Sequence, residues 1–308
     1  MEFKSIMLAQ RDLFNHYLHG RRYELAAYTF NAFFIWRDWD PYGWTVIDDA
    51  LCIKSDFRGY DAVFPPITAD DNARLRATET LIKWYEQRNL PFLFNEASES
   101  TIEFYQRYMP GIFVPEEFCG GTNYIYHQKD LAYLKGKKYA AKRNHVNRFI
   151  RENPDYQLLP LTPKLANKCK DRQLQWSTAY DMSNYDLQME QRGVLLALDH
   201  ISELKGCLSA CLMVGNSIEA FTIGEPLNDD TFLIHIEKAN KQLAGSFQAI
   251  NQLFASQYCS GFRYINRAED MSSEGQCKAK LSYHPCCLEH KYLLRRRDQI
   301  NNNQGVVL

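Results

Sequence analysis

Between residues 207 and 238 three apolar runs follow one another with almost nothing between them: C-L-S-A-C-L-M-V, S-I-E-A-F-T-I-G and T-F-L-I-H-I-E-K. The breaks, Gly215-Asn216 and Asn228-Asp229-Asp230, are turn sequences. Three strands joined this tightly form antiparallel neighbours in one sheet, and the sheet needs helices to cover it. The flanking sequence supplies them. Q-L-L-P-L-T (157–162) reads as a strand, with helices near 163–180 and 186–205 after it. Beyond the three strands come helix 246–259, strand 262–267, helix 274–283 and strand 286–294. The order β-α-α-β-β-β-α-β-α-β is that of a mixed α/β domain with a mostly antiparallel sheet.

The first half follows a similar plan. Residues 6–19 and 25–39 carry helical apolar stripes, and W-T-V-I-D-D-A-L-C-I-K (44–54) reads as a hairpin turning at Asp48-Asp49. D-A-V-F-P-P is a short extended piece stopped by prolines. An amphipathic helix is expected from about Asp70 to Arg88, with Leu75, Leu81, Ile82 and Tyr85 inward. A strand (91–94), a helix (98–108) and an extended run through Tyr124-Ile125-Tyr126 complete it. Relative to the second half it lacks one strand, so the chain reads as an approximate internal duplication. The boundaries that follow are 1–134, a connecting helix at 135–154, and 155–308.

At 308 residues with 45% hydrophobic content the chain can bury two cores. The tail N-N-N-Q-G-V-V-L has no periodicity and is expected to lack regular structure. The N-terminus lacks a signal-peptide core, and no stretch approaches the ~18 apolar residues that span a bilayer. Nine cysteines without a C-x-x-C pair fit reduced thiols, hence a cytoplasmic expectation. Cys277, His284, Cys286, Cys287 and His290 have no spacing of a tetrahedral metal site, so no metal is expected.

Net charge is −1, yet residues 135–151 hold Lys135, Lys137, Lys138, Lys142, Arg143, Arg148 and Arg151 and no acid. Tyr139, Val146, Phe149 and Ile150 form the apolar arc of this helix, and Lys142 falls inside the arc. Lys142 either snorkels or reaches an anion. The outward charges form a solvated face, or meet lipid headgroups, an acidic partner or tRNA backbone.

Four strings carry a resemblance: G-K-K-Y-A-A-K-R-N-H-V-N-R-F (136–149), H-I-E-K-A-N (235–240), R-Y-I-N-R-A-E-D (263–270) and K-A-K-L-S-Y-H-P (278–285). Together they resemble the phosphatidylglycerol lysyltransferase C-terminal domain family, and the element order of 155–308 resembles the GNAT acyltransferase fold. The resemblance covers most of the chain, from about Trp36 onward. It implies tandem GNAT-like domains and transfer of an acyl or aminoacyl group. Members that aminoacylate lipids carry transmembrane helices, which this sequence lacks.

In GNAT enzymes the donor phosphates sit at the start of the helix after the fourth strand, where unpaired N–H groups favour anions. The pattern there is Gln or Arg, glycine three residues on, and Gly or Ala two further. Q-L-A-G-S-F gives Gln242, Ala244, Gly245 and Ser246 as donor-binding residues, with Phe247 in the place of a small residue. The plain alternative is a helix capped by Ser246 with Gly245 making the turn.

Alternation along strand 231–237 puts Leu233, His235 and Glu237 on one face. Glu237 is the preferred general base, His235 the second choice, and Glu225 a third carboxylate able to face the same cleft. Tyr283 lies where many GNAT enzymes keep a tyrosine that protonates the leaving group, and a phenol is protonated at neutral pH. A core role for it is the plain reading. Asn266 and Arg267 either bind substrate or cap the strand end, and Lys142 and Arg143 are the basic-helix residues assigned to substrate.

The expectation is therefore a tandem GNAT-like α/β protein. Its C-terminal domain passes an acyl or aminoacyl group from acyl-coenzyme A or aminoacyl-tRNA to an amine or hydroxyl of a small or lipid-like acceptor. The alternative is an inactive module binding RNA or an acidic partner.

Overall fold

In the computed structural model, residues 1–300 are described except 21, 58, 119–120, 180 and 270–272. The tail 301–308, whose irregularity the sequence suggests, lies outside the described residues, as does Asp270 of the third family string. The chain divides into two compact units: 1–123 with the chain end from 289, and 124–288.

The first unit begins with β1 (Lys4–Ser5), α1 (Arg11–Leu18), α2 (Phe30–Ile35), β2 (Gly43–Ile47) and β3 (Ala50–Phe57). It continues with β4 (Tyr60–Val63), α3 (Asp71–Glu86), β5 (Leu93–Ala97), α4 (Glu99–Tyr108) and β6 (Phe113–Glu117). The hairpin turns where expected: Asp48 and Asp49 both have positive φ (48° and 61°), and Ile47 pairs with Ala50. Three helix starts are fixed by hydroxyl or carboxylate caps, Thr29, Asp70 and Ser98, each accepting a backbone N–H two or three residues on.

The second unit runs β7 (Asn123–His127), α5 (Gln128–Tyr133), α6 (Ala140–Glu152), β8 (Gln157–Pro160), α7 (Pro163–Ser177) and α8 (Tyr185–Asp199). After these come β9 (Leu208–Val214), β10 (Ser217–Pro226), β11 (Thr231–Ala239), α9 (Ser246–Tyr258), β12 (Tyr264–Asn266), α10 (Glu274–Leu281) and β13 (Cys287–Glu289). β14 (Tyr292–Arg296) and α11 (Arg297–Ile300) close the chain.

Each unit has a seven-stranded sheet, ordered β1-β2-β3-β4-β5-β14-β6 in the first and β8-β9-β10-β11-β12-β7-β13 in the second. The pairs whose register is described are antiparallel except β4 with β5 and β11 with β12, one parallel pair in each sheet. The strand that the first half lacks by sequence is β14, brought from the chain end and set between β5 and β6. Conversely β7, written in the first half, pairs with β12 in the second sheet. The single strand expected at 286–294 is in fact two, β13 and β14, in different sheets. The basic segment is a 3-10 turn at Lys137–Tyr139 followed by α6, and it lies within the second unit rather than joining two halves. The boundaries at 134 and 155 are corrected accordingly.

In the second unit α5, α6 and α9 cover one face. Of the expected apolar arc, Tyr139, Val146 and Phe149 are buried there with Phe232, Ile234, Ala249 and Ile250, and Ile150 packs half-buried against them. The opposite face carries α7 and α8, held by Trp176 stacked on Phe221 and by the ion pairs Arg172–Glu219 and Lys238–Glu190.

Candidate active site

Parallel β11 and β12 pair only from Thr231↔Tyr264 to Leu233↔Asn266. β11 then continues to Ala239 while β12 stops, so the pairing of the two strands ends at Leu233. On its other edge β11 stays with β10, but the register shifts: Ile236 faces Ile223 and Ile234 faces Gly224. His235 is the extra residue of a β-bulge.

This bulge overturns the expected grouping of side chains. Phe232 and Ile234 point to the α9 face, as alternation requires. Past the bulge Glu237 and Ala239 point to that face too, one bonded to Asn251 of α9 and the other packed on Ala249 and Ile250. His235 instead joins Glu225 (Nε2 to Oε1 2.7 Å), whose strand neighbours Glu219 and Phe221 face α7. His235 and Glu237 therefore serve opposite faces, and Glu225 is on the side of His235.

Glu237 is the centre of a buried polar cluster. One carboxylate oxygen meets Arg267 Nη2 at 2.7 Å and the other accepts from Asn251 Nδ2 at 2.9 Å. Arg267 follows β12 directly, and its guanidinium lies against the rings of Tyr126 (5.7 Å) and Tyr283 (4.9 Å). Lys142 sits over the Tyr283 ring at 4.4 Å. The turn that aims Arg267 is built from the family strings. Asn266 is fully buried and accepts from the Ala268 N–H at 2.7 Å, Ala268 has φ 53°, and Lys280 Nζ donates to the carbonyls of Arg267 and Ala268. Asn266 thus shapes the turn, the strand-end alternative of its two readings.

The electrostatics follow from burial. Desolvation alone would pull the Arg267 guanidinium down, but Glu237 and then the two phenols outweigh it and hold it above its ordinary value. Burial pushes the Tyr126 phenol up to about 12 and raises Tyr283 as well, so both stay protonated at neutral pH. The Lys142 ammonium is lowered by burial and then by Arg267. Lys142 has no ion pair, and the Tyr283 hydroxyl no hydrogen bond, among the described residues.

The glycine loop has a different geometry from its pattern. Gly245 caps α9 with φ 85°, and a Cβ there would lie 2.4 Å from the His145 carbonyl oxygen and 3.0 Å from Phe149 Cβ. The bare side of the glycine is occupied by α6. Ser246 is the first residue of α9 rather than its cap, and its hydroxyl donates to the Asn240 carbonyl at 2.7 Å. Phe247 packs half-buried against the cluster of Leu212 and Ala220, Gln242 is exposed, and Ala244 is half-buried. Arg143 donates to the carbonyls of Leu134 and Gly136, closing the turn before its own helix. Arg148 and Arg151 pair with Glu152, one residue beyond the acid-free stretch, and Lys138 lies 3.7 Å from Asp130.

Of the residues marked from sequence, Glu237, Arg267, Tyr283 and Lys142 converge; His235 and Glu225 form a separate pair. Asn251, Tyr126 and Lys280 complete the cluster without having been singled out. Lys280 and Tyr283 share a family string, whereas Asn251 sits in Q-A-I-N-Q-L with no signal beyond a polar residue on an apolar helix face.

Two sheets of the same unusual strand order, each with one parallel pair, and in the second a cluster of carboxylate, guanidinium and phenol where that pair parts, define a tandem GNAT-like fold of the acyltransferase class. The chain belongs to the family described as phosphatidylglycerol lysyltransferase, C-terminal, whose model matches residues 21–295. A conserved protein of unknown function from Bacteroides thetaiotaomicron VPI-5482 is 33% identical, with TM-score 0.88 over 96% of this chain and all of that one. L-PGS from Bacillus licheniformis superposes with TM-score 0.68 at 15% identity, covering 97% of this chain and 94% of that one, a likeness of fold. An uncharacterized protein of Mycoplasmoides gallisepticum, MYCGA3080, is 27% identical over 176 residues, and the match spans 56% of each. No helix among the described residues is long and apolar enough to cross a membrane.

Proposed function

We propose that the second unit transfers an aminoacyl group from aminoacyl-tRNA to a hydroxyl or amine of a lipid-like acceptor. The observation that carries this is the Glu237–Arg267–Asn251 cluster, buried where β11 and β12 part. Family membership supports aminoacyl chemistry and a lipid-like acceptor. The tRNA donor is favoured over a coenzyme A thioester because α6 fills the bare side of Gly245, so close helix crossing accounts for that glycine. Lys135, Lys137 and Lys142 lie on the α6 segment without an acid partner among the described residues and suit phosphate backbone.

In this reaction the acceptor oxygen or nitrogen attacks the ester carbonyl and its proton passes to Glu237. Negative charge gathers on the carbonyl oxygen, where the always-charged Arg267 stabilises it. The ester C–O bond then breaks, and Tyr283 protonates the departing ribose oxygen. The proton on Glu237 returns the phenolate to phenol. Glu237 keeps lone pairs for this while Arg267 and Asn251 fix its orientation. His235 faces the other side of the sheet and takes no part.

The test is transfer of radiolabelled amino acid from charged tRNA to a bacterial lipid extract by the purified protein. Label in the lipid phase, lost in Glu237→Gln and Arg267→Met, is expected. Equal transfer by those variants removes the site assignment. Tight tRNA binding with no transfer to any acceptor makes the protein an RNA-binding module, and a thermal shift with acetyl-coenzyme A that Gly245→Glu abolishes would restore the thioester donor.

A further inference from the structure

The first unit has a polar cluster of its own, which the transfer chemistry does not use. At its base is Asn95 of β5, fully buried. Asn95 Nδ2 donates to Ser55 Oγ at 2.9 Å, and Asn95 Oδ1 has no hydrogen-bond partner. Asn266, the matching asparagine of the second unit, uses that oxygen to accept the Ala268 N–H. In the first unit the positive φ falls on Glu96 (54°) instead, one position earlier in the matching segment, and the asparagine oxygen is left over. Asp40, between α2 and β2, stands beside this base. It senses the charges of Glu96 and Asp56, the chain neighbours of Asn95 and Ser55, and of Lys291. Tyr42 hydrogen-bonds the Asp40 carboxyl, yet Asp40 Oδ1 is buried without a partner. Tyr42 and Tyr28 both pack edge-on against Phe64, with ring centres 5.9 and 5.6 Å apart, and Tyr28 donates to the Glu96 carbonyl at 2.6 Å. An aromatic wall thus runs from Asp40 to Glu96. Asp56 is exposed, Asp40 half-buried and Asn95 fully buried, so the cluster leads inward from solvent.

We infer that the first unit binds an organic ammonium group, whose N–H bonds are accepted by Asp40 and by the Asn95 side-chain oxygen. Both unfilled atoms are acceptors, so the missing partner is a donor. Three carboxylates, Asp40, Asp56 and Glu96, stand against Lys291, which is already paired with Glu96. The missing donor is therefore a cation, and rings beside it favour an ammonium. Burial, and then Glu96, hold the Asp40 carboxyl up at about 8, so an ammonium that takes Asp40 as a carboxylate displaces its proton. The inference is independent of the transfer reading, which concerns the other unit.

The probe is methylammonium chloride, titrated into the full chain by calorimetry at constant ionic strength, beside tetramethylammonium and potassium chlorides. Methylammonium is expected to bind at millimolar concentration, its affinity rising about tenfold from pH ~7 to pH ~9 as Asp40 ionises. An alkylammonium keeps its charge over that range. Heats in two buffers of different ionisation enthalpy should show a proton released at the lower pH. Asp40→Asn should bind about tenfold or more weakly at pH ~9, without the pH dependence, and keep a cooperative melt. Tetramethylammonium has no N–H to donate, so equal binding of it overturns the inference, and equal binding of potassium makes this a metal-cation site instead. No measurable binding of methylammonium at millimolar concentration, or an affinity flat with pH in the wild type, also overturns it. If Asp40→Asn does not fold, the wild-type pH profile and the tetramethylammonium comparison decide alone.

Discussion

Glu237 holds its place because two groups from different elements, Asn251 of α9 and Arg267 after β12, each take one of its oxygens, and that fixes what its removal does. Glu237→Gln keeps the shape and the Asn251 contact but takes away the proton acceptor and the partner of Arg267. The expected loss in transfer rate is about a hundredfold or more, read in a single-turnover assay beside a melting curve showing the protein folded. An unchanged rate would move the base elsewhere. A second charged residue makes a prediction in the first unit. Burial, and then Glu96, push the Asp40 carboxyl up to about 8, against the opposition of Lys291 and Tyr42. Between an unfolded value near 4 and a folded value near 8 the folded state holds the extra proton, so stability falls as pH rises through that window. Asp40→Asn should flatten this slope and raise Tm most at and above pH ~8, with little effect near pH ~4; parallel Tm–pH curves for both proteins would refute it. At this scale the sequence discloses residues whose type is unusual for their place, such as a lysine inside an apolar arc. Asn251 and Tyr126 escape it because a polar residue on a helix or a tyrosine in a strand is ordinary until its neighbours are known.

Elements are legible where periodicity and capping residues agree, as in α3 behind Asp70 or α9 behind the glycine loop. Faces are less so. Alternation along β11 predicts one face for His235 and Glu237, and a single-residue bulge reverses everything after it. The glycine loop teaches the same lesson through packing. Its pattern suggests a phosphate, yet the nearest atom to a Cβ on Gly245 is the backbone oxygen of His145 in α6. Gly245→Ala should therefore cost both left-handed strain and helix displacement, in all about 2–4 kcal/mol. Gly111→Ala, at φ 79° with open space around it, should cost about 1 kcal/mol. Chemical denaturation of the two variants separates the effects, and equal losses would mean that α6 yields easily at the contact.

Across the whole molecule the duplication is real in strand order and nearly invisible in residues. Its clearest trace is four residues long: Phe94-Asn95-Glu96-Ala97 at the end of β5 and Ile265-Asn266-Arg267-Ala268 at the end of β12. The charge is reversed between them. Arg267 pairs with Glu237 on the neighbouring parallel strand, whereas Glu96 pairs with Lys291 beside β14. β4 cannot supply a counterpart of Glu237, since it runs on into Phe64-Pro65-Pro66. The sequence shows two similar halves, but cutting between them at 155 is wrong because each sheet takes its sixth strand from beyond that simple division. Pairing over such separations leaves no local signal. The consequence can be tested with fragments. Residues 124–289 contain every strand of the second sheet except the first residue of β7, and should fold cooperatively with a native-like circular dichroism spectrum. Residues 155–308, the division read from sequence, lack β7, so β12 loses its outer neighbour, β13 has nothing to pair with, and α6 no longer covers Gly245. That fragment should be aggregated or molten, with fast hydrogen exchange in β11 and β12. If it instead melts sharply, the sheet does not depend on β7, and the strand order alone does not mark the unit of folding.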